Sequence, residues 1–209
     1  APSLKSAHIG IAMGKRGTDV AREAASIVLL DDDFGSIVTG IRLGRRIHDN
    51  LRKALAFIVA VHIPIAGLAL LPLLMGMPLL LAPIHIAFIE MIIDPVCSLA
   101  FEAEKEERRL MQRPPRAPDA PLFPRWMVAW SALQGIVACA ATAGITFHAW
   151  LGGMEADRVR SVTFLSLVLG ILCLILVNRS YSASVIRAII RPNRPLAIVA
   201  LTVFAILAL

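Results

Sequence analysis

The feature that most constrains this 209-residue chain is the run of residues 54–89, which contains no Asp, Glu, Lys or Arg. At about 1.5 Å per residue a helix of that length would extend roughly 54 Å, whereas the hydrocarbon core of a bilayer is ~30 Å thick. Pro72 and Pro78 interrupt the middle of the run, where they break helical structure. The run therefore predicts a helical hairpin of two membrane spans, at about residues 51–74 and 79–101.

The remaining composition agrees with a membrane protein, since 57% of the residues are hydrophobic. Charge-poor segments further along the chain predict three more spans at about residues 126–150, 161–178 and 195–209. The last segment is shorter than a full crossing, so we expect it to be truncated within a span. The fold class predicted for residues 49–209 is a mainly α-helical membrane bundle.

Residues 1–48 have a different pattern and precede the membrane domain. Short apolar runs at residues 8–14 and 26–30 are typical of buried strands, and a helix capped by Thr18 or Asp19 is predicted between them. The order strand, helix, strand, helix predicts a partial α/β, Rossmann-like cytoplasmic segment with a parallel sheet whose other strands lie upstream.

Three consecutive aspartates, at residues 31–33, follow the second predicted strand. Carboxylates in this number could hold a metal ion. Because consecutive side chains at a strand end point in alternate directions, a solvated turn with Asp33 as a helix cap is the favoured interpretation.

Two carboxylates in the second predicted span are the candidate functional residues. Glu90 and Asp94 are four residues apart, so they share one face of a helix. An acidic side chain at bilayer depth costs about 2.5–3.5 kcal/mol on insertion scales, which makes a functional role the default hypothesis. Pro95 has no N–H and leaves the carbonyl of Met91 without its helical donor. Together these groups predict a site for a hard metal cation.

Structural roles are also consistent with these residues. Glu90 and Asp94 could pair with His62 or His85, or could lie protonated against a neighbouring helix. Pro64 frees another carbonyl in the first span, and His62 lies close to it in sequence. Either these two residues line a polar pathway beside the carboxylates, or Pro64 is a tolerated kink and His62 an interior hydrogen-bonded residue.

The positive charges predict orientation rather than a nucleic-acid partner. The net charge is +6, and nearly all Lys and Arg residues precede the first span or lie in the links at residues 102–125 and 179–194. By the positive-inside rule these segments are cytoplasmic, and the turn that carries Arg158 and Arg160 is on the opposite side. We therefore expect a multi-pass protein of the plasma (inner) membrane whose main partner is the lipid bilayer.

The first 25 residues, APSLKSAHIGIAMGKRGTDVAREAA, resemble the end of the phosphorylation domain of P-type ATPases, most closely the calcium-pump-like cation-transporting branch. The following SIVLLDD and the helix into NLRK, at residues 50–53, also resemble that family. The likeness implies a HAD-like phosphorylation domain, completed by the upstream half of the polypeptide. It also implies a phosphorylated aspartate and binding of ATP and Mg²⁺ by parts outside these 209 residues.

The family resemblance carries over to the ion site only in part. Asp94 matches the central acid of the family, whereas Glu90 stands where calcium pumps have asparagine and Ile93 replaces a usual hydroxyl ligand. Pro64 lies near the position of an acid that is usual in calcium pumps, and no carboxylate occurs near Gly170. A single cation held by carboxylates and carbonyls is therefore expected, with a monovalent ion, a proton or Mn²⁺ also open.

The sequence thus predicts the C-terminal transport half of an ATP-driven cation pump, an ion translocase. In it the helix entering the first span couples the phosphorylation domain to the cation site. Because the phosphorylated aspartate and the nucleotide domain are not in this sequence, we expect no ATPase activity from these residues alone. Two alternatives are a non-pumping membrane or regulatory module and a P-type pump for a non-metal substrate.

Overall fold

A computed structural model describes residues 1–181 and 192–207 of the chain. The chain divides into two compact units, Ala1–Arg46 and Ile47–Leu209, and each is described by itself.

The first unit contains a small β–α–β arrangement. Its elements are α1 (Pro2–Ser6), β1 (Ile11–Met13), α2 (Asp19–Ala24) and β2 (Ile27–Leu29). The two strands are parallel, with Ala12 opposite Val28. Thr18 is the N-cap of α2, since its side chain accepts a hydrogen bond from the N–H of Ala21 at 3.2 Å, as the sequence predicted.

The three aspartates form the turn that leaves β2. Asp32 has a positive φ of 60°, and its carboxylate accepts hydrogen bonds from the N–H groups of Lys15 and Arg16. Asp33 accepts from the N–H of Gly35 at 2.8 Å, and Asp31 accepts from the Ser36 hydroxyl, which lowers the pKa of Asp31 below its ordinary value. Each carboxylate is thus engaged locally, which confirms the turn and cap interpretation.

Helix α3 spans Gly35–Met75 and includes both Pro64 and Pro72. It contains the first predicted span and also the charged residues that precede it. After a short loop, α4 covers Pro83–Pro95, and one π-helical turn, Val96–Ala100, follows it. Residues 79–82, which the sequence assigned to the second span, are not helical, because a residue before proline is disfavoured in the α conformation and Pro83 is the first helical residue.

The described part of the second unit also contains a short 3₁₀ helix (Leu110–Gln112) and three longer helices: α5 (Arg125–Leu151), α6 (Ala156–Asn178) and α7 (Arg194–Leu207). Helix α6 begins five residues before its predicted span, with Asp157 in the first turn, where a carboxylate is favourable beside the positive helix end. Within the described residues, four helices are long and apolar enough to cross a membrane, and the 14-residue α7 is shorter. The last two residues of the predicted fifth span lie outside the described residues.

Apolar side chains from α3, α4, α6 and α7 form the core of this unit, including Phe57, Ile92 and Leu167. Helices α5 and α6 are also joined by polar contacts. The hydroxyls of Thr146 and Thr163 are 2.8 Å apart, and each lies within hydrogen-bond distance of a carbonyl of its own helix. Such hydroxyl pairs are typical of helix packing in membranes. This unit is therefore a helical membrane bundle, in agreement with the sequence.

Candidate functional site

The two predicted site carboxylates lie one turn apart on α4. Glu90 is half-buried, and Asp94 is exposed on the surface of the described bundle. Neither carboxylate forms an ion pair or a side-chain hydrogen bond with another described residue. Both side chains therefore keep their full capacity to accept hydrogen bonds or to bind a cation.

Pro95 changes the backbone directly after these carboxylates. Because Pro95 carries no N–H, the carbonyl of Met91 has no donor at the usual helical position. The helix continues as a π turn, in which the N–H of Phe101 bonds to the carbonyl of Val96 at 3.0 Å. Single π turns often occur at functional sites. One turn of α4 thus presents two carboxylates and one free carbonyl oxygen.

The histidines considered as partners of these carboxylates make other contacts. His62 is exposed on α3, and its Nδ1 lies 2.8 Å from the carbonyl oxygen of Ile58. His85 accepts a hydrogen bond from the N–H of Ala82 and lies against the ring of Phe164. Among the described residues, no three His, Cys, Asp or Glu side chains approach closely enough to hold a metal ion. The structure therefore leaves the pair on α4 without a third ligand from these residue types.

The carbonyl freed by Pro64 is covered by α5. Pro64 is buried, and the carbonyl oxygen of Ala60 would be 2.4 Å from a Cβ atom placed on Gly135. Only a glycine permits the two backbones to come this close. This carbonyl therefore faces a helix contact, which favours the structural interpretation of Pro64.

A buried polar cluster lies beyond the C-terminal end of α4, between the helices and the link of residues 102–124. Lys53 Nζ is 2.7 Å from Glu107 Oε1, and both side chains are almost fully buried. Glu104 pairs with Arg179 at 2.5 Å, and the same carboxylate oxygen accepts from Asn193 at 2.7 Å. These contacts join the link to α3, to the end of α6 and to the start of α7.

This cluster was not predicted from the sequence, in which the charged residues of the link indicated only a cytoplasmic segment. A signal was present, since Phe101, Glu104, Glu107 and Leu110 recur every three residues and all four are buried. Lys53 is also the last charged residue before the apolar run of the hairpin. Its pairing partner is 54 residues further along the chain, and no local pattern identifies such a contact.

Comparisons with known proteins agree with a helical membrane bundle. Residues 78–209 match the family model described as cation transporting ATPase, C-terminus. The chain is 38% identical over 125 residues to a calcium-transporting ATPase of Bacillus subtilis, an alignment that covers 60% of this chain and 14% of that protein.

Other relatives are pumps named for different ions. The α subunit of a sodium/potassium-transporting ATPase of Hydra vulgaris is 44% identical over 117 residues, which is 56% of this chain and 11% of the relative. The human potassium-transporting ATPase α chain 2 is 46% identical over 115 residues, which is 55% of this chain and 11% of the relative. The aligned part of the chain thus spans only about one seventh of these relatives or less. The family model matches more than half of the residues of this chain, and the chain therefore belongs to the cation transporting ATPase C-terminus family.

Proposed function

We propose that this chain is the C-terminal transport region of an ATP-driven cation pump, in which Glu90 and Asp94 hold the transported cation within the membrane. The observation that carries the proposal is the acidic turn of α4, where two carboxylates without protein partners among the described residues are followed by Pro95. Two acidic groups on an apolar helix at bilayer depth are unfavourable, and a bound cation would offset that cost.

The cation would be coordinated by oxygen atoms alone. Each carboxylate supplies up to two oxygens, and the carbonyl of Met91 supplies another. Because Asp94 is exposed on the described bundle, the remaining ligands would come from helices of the upstream half or from water. His62, whose Nδ1 lies 2.8 Å from the carbonyl oxygen of Ile58, is a weaker candidate ligand than the two carboxylates.

Coupling to ATP would pass through α3. The 41 residues of this helix are continuous between the segment that resembles a phosphorylation domain and the hairpin. The β1–α2–β2 arrangement would be the last part of a larger HAD-like sheet, with ATP and Mg²⁺ bound by residues upstream of Ala1. A rigid helix shared by two domains transmits movement from one to the other.

The comparisons do not indicate one particular cation. The relatives include calcium, sodium/potassium and potassium transporters at similar identity, so membership of the calcium-pump-like branch rests on the first 25 residues alone. A single cation fits the two acids better than a pair of calcium ions, which would need more carboxylates.

Two other functions remain as alternatives. In a non-pumping regulatory module the acids would be structural, whereas in a pump for a lipid or polyamine they would contact a non-metal substrate. Both alternatives predict that no metal ion stimulates turnover through Glu90 and Asp94.

The experiment is cation-dependent ATPase activity of the full-length protein in lipid, measured with Ca²⁺, Mn²⁺, Mg²⁺, Na⁺ and K⁺. We expect one cation to stimulate turnover, and Glu90→Gln and Asp94→Asn each to raise the concentration required by about ten-fold or more, since each removes one ionic ligand. Glu155→Gln is the matched control, because this acid is exposed outside the helices and pairs only with Arg158 at 3.9 Å among the described residues.

If both variants at α4 respond to cations as the unmodified protein does, the two acids are not ligands and the proposed site is wrong. If no cation stimulates a protein that still hydrolyses ATP, a non-metal substrate replaces the cation in the proposal. A full-length protein without ATPase activity or a phosphorylated aspartate would support the regulatory module.

A further inference from the structure

A cleft of about 590 Å³ lies among α3, α5 and the end of α6, away from the acidic turn of α4. Its lining combines charged and aromatic side chains, including Arg52, Arg113, Trp130, Ser131 and Tyr181. The cleft is at the end of the bundle where the charged part of α3 meets the apolar run. It therefore lies at the level expected for a membrane–water interface.

Two polar atoms that lack a partner point to a ligand in this cleft. Ser131 is fully buried, and its hydroxyl has no hydrogen-bond partner among the described residues. The Nε of Arg52 is also buried and likewise unpartnered within the described chain. Buried polar groups are normally satisfied, so unpartnered donors at both positions of one cleft favour a ligand that carries hydrogen-bond acceptors.

The charge balance of the cleft favours an anion. Arg113 pairs with Asp49 at 2.7 Å, which neutralises one positive charge. The Arg52 guanidinium lies 6.0 Å from the ring centroid of Tyr181 and contacts the sulfur of Met127, and no carboxylate lies within 4 Å of it among the described residues. Burial raises the pKa of Tyr181, so its phenol stays neutral beside this cation.

An apolar groove of about 520 Å³ continues from the cleft along α5. It is lined by Trp126, Ala129, Trp130 and Leu133, and the two tryptophans line the cleft as well. Both tryptophans are more than half exposed. The surface thus has a cationic polar end and an adjoining apolar end, joined by aromatic side chains that are typical of the membrane interface.

We infer that this surface binds an anionic phospholipid, with its phosphodiester in the cleft at Arg52 and Ser131 and an acyl chain in the groove along Trp126 and Trp130. Arginine suits a phosphate because its planar guanidinium donates several hydrogen bonds at once. A free phosphate would fill the polar end alone and leave the groove unexplained. The site is separate from Glu90 and Asp94, so it does not depend on the proposed cation function.

The test is native mass spectrometry of the delipidated full-length protein with phosphatidylglycerol and phosphatidylcholine of identical acyl chains. We expect preferential binding of phosphatidylglycerol, a loss of about ten-fold in Arg52→Gln and of about three-fold in Ser131→Ala, as for one charge-assisted and one neutral hydrogen bond. Arg52→Lys, which keeps the charge, retains most of the binding. Arg158→Gln is the control, because it removes an equal charge at the opposite end of α6.

Equal binding of the two lipids, or phosphatidylglycerol binding that is unchanged in Arg52→Gln and Ser131→Ala, overturns the inference. Displacement of the lipid by inorganic phosphate at millimolar concentration would assign the cleft to a small anion and also overturn it. Should Arg52→Gln fail to fold, Ser131→Ala and Trp130→Ala decide, since both leave the charge of the cleft intact and are expected to weaken phosphatidylglycerol binding.

Discussion

Lys53 shows how much depends on a single side chain in this fold. It is a lysine with no exposed surface, placed where α3 passes from charged to apolar sequence. Its ammonium is 2.7 Å from Glu107, 3.5 Å from Asn50 and 5.6 Å from the ring centroid of Tyr181. A buried charge is tolerated only when it is paired, so Lys53 holds the link of residues 102–124 against α3.

Removal of one partner of this buried pair is predicted to destabilise the protein strongly. Lys53→Met leaves the Glu107 carboxylate buried without its ammonium partner, and we expect a loss of about 3–5 kcal/mol. The double variant Lys53→Met, Glu107→Leu removes both charges and should recover most of that loss. Thermal unfolding in one detergent measures both effects.

The control for this prediction is Lys105→Met. Lys105 is in the same link but exposed, so the change should be within about 0.5 kcal/mol. A Lys53→Met variant as stable as the Lys105→Met variant would show that the buried pair does not hold the link.

At the level of elements, close backbone contacts decide how the helices of the bundle pack. A Cβ on Gly135 of α5 would lie 2.4 Å from the carbonyl oxygen of Ala60 and 2.9 Å from the side chain of Ile63 on α3. A Cβ on Gly67 would similarly meet the sulfur of Cys139 at 2.5 Å. Small residues on both helices thus bring α3 and α5 together, as is common in membranes.

Gly135→Ala is therefore predicted to destabilise the bundle even though alanine is the better helix former. Alanine gains about 1 kcal/mol of intrinsic helix propensity, but overpacking against a backbone carbonyl costs about 1–3 kcal/mol. Gly144→Ala on the same helix is the control, because no atom of the described residues, apart from the helix's own nearby backbone, lies within 4 Å of its added Cβ and only the propensity gain applies. If the thermal midpoints of the two variants rise equally, the close contact of α3 and α5 does not exist.

The sequence predicted those elements that local pattern determines. The apolar run with its prolines predicted the hairpin. Thr18 and Asp33 predicted two helix starts, and the hydrogen bonds that their side chains accept confirm both. The buried pairs of Lys53 and Glu104 could not be foreseen, because their partners are distant in sequence and their charges predict exposure. The surroundings of Glu90 and Asp94 could not be predicted from the sequence either, since neither acid has a partner within the described chain.

At the scale of the whole molecule, the distribution of charge determines how the bundle lies in a membrane. The cluster of Lys53, Glu104 and Arg179 lies at the end of the bundle that holds the long basic links. The opposite end carries the short turn before α6, where Arg158 and Arg160 pair with acids three residues earlier. Lys and Arg residues are thus concentrated at the first end, and the turn before α6 carries only Arg158 and Arg160.

This asymmetry predicts that the link of residues 102–124 faces the cytoplasm and that the turn before α6 faces the other side. In a full-length protein whose cysteines, including the three of this chain, are replaced by serine, Glu155→Cys should react with a membrane-impermeant maleimide on intact cells. Asp119→Cys, which is equally exposed but lies in the link, should react only after the membrane is opened. The cysteine-free protein measures background labelling. The reverse pattern would place the basic links outside the cell, and the segment of residues 1–46 could then receive no signal from cytoplasmic ATP.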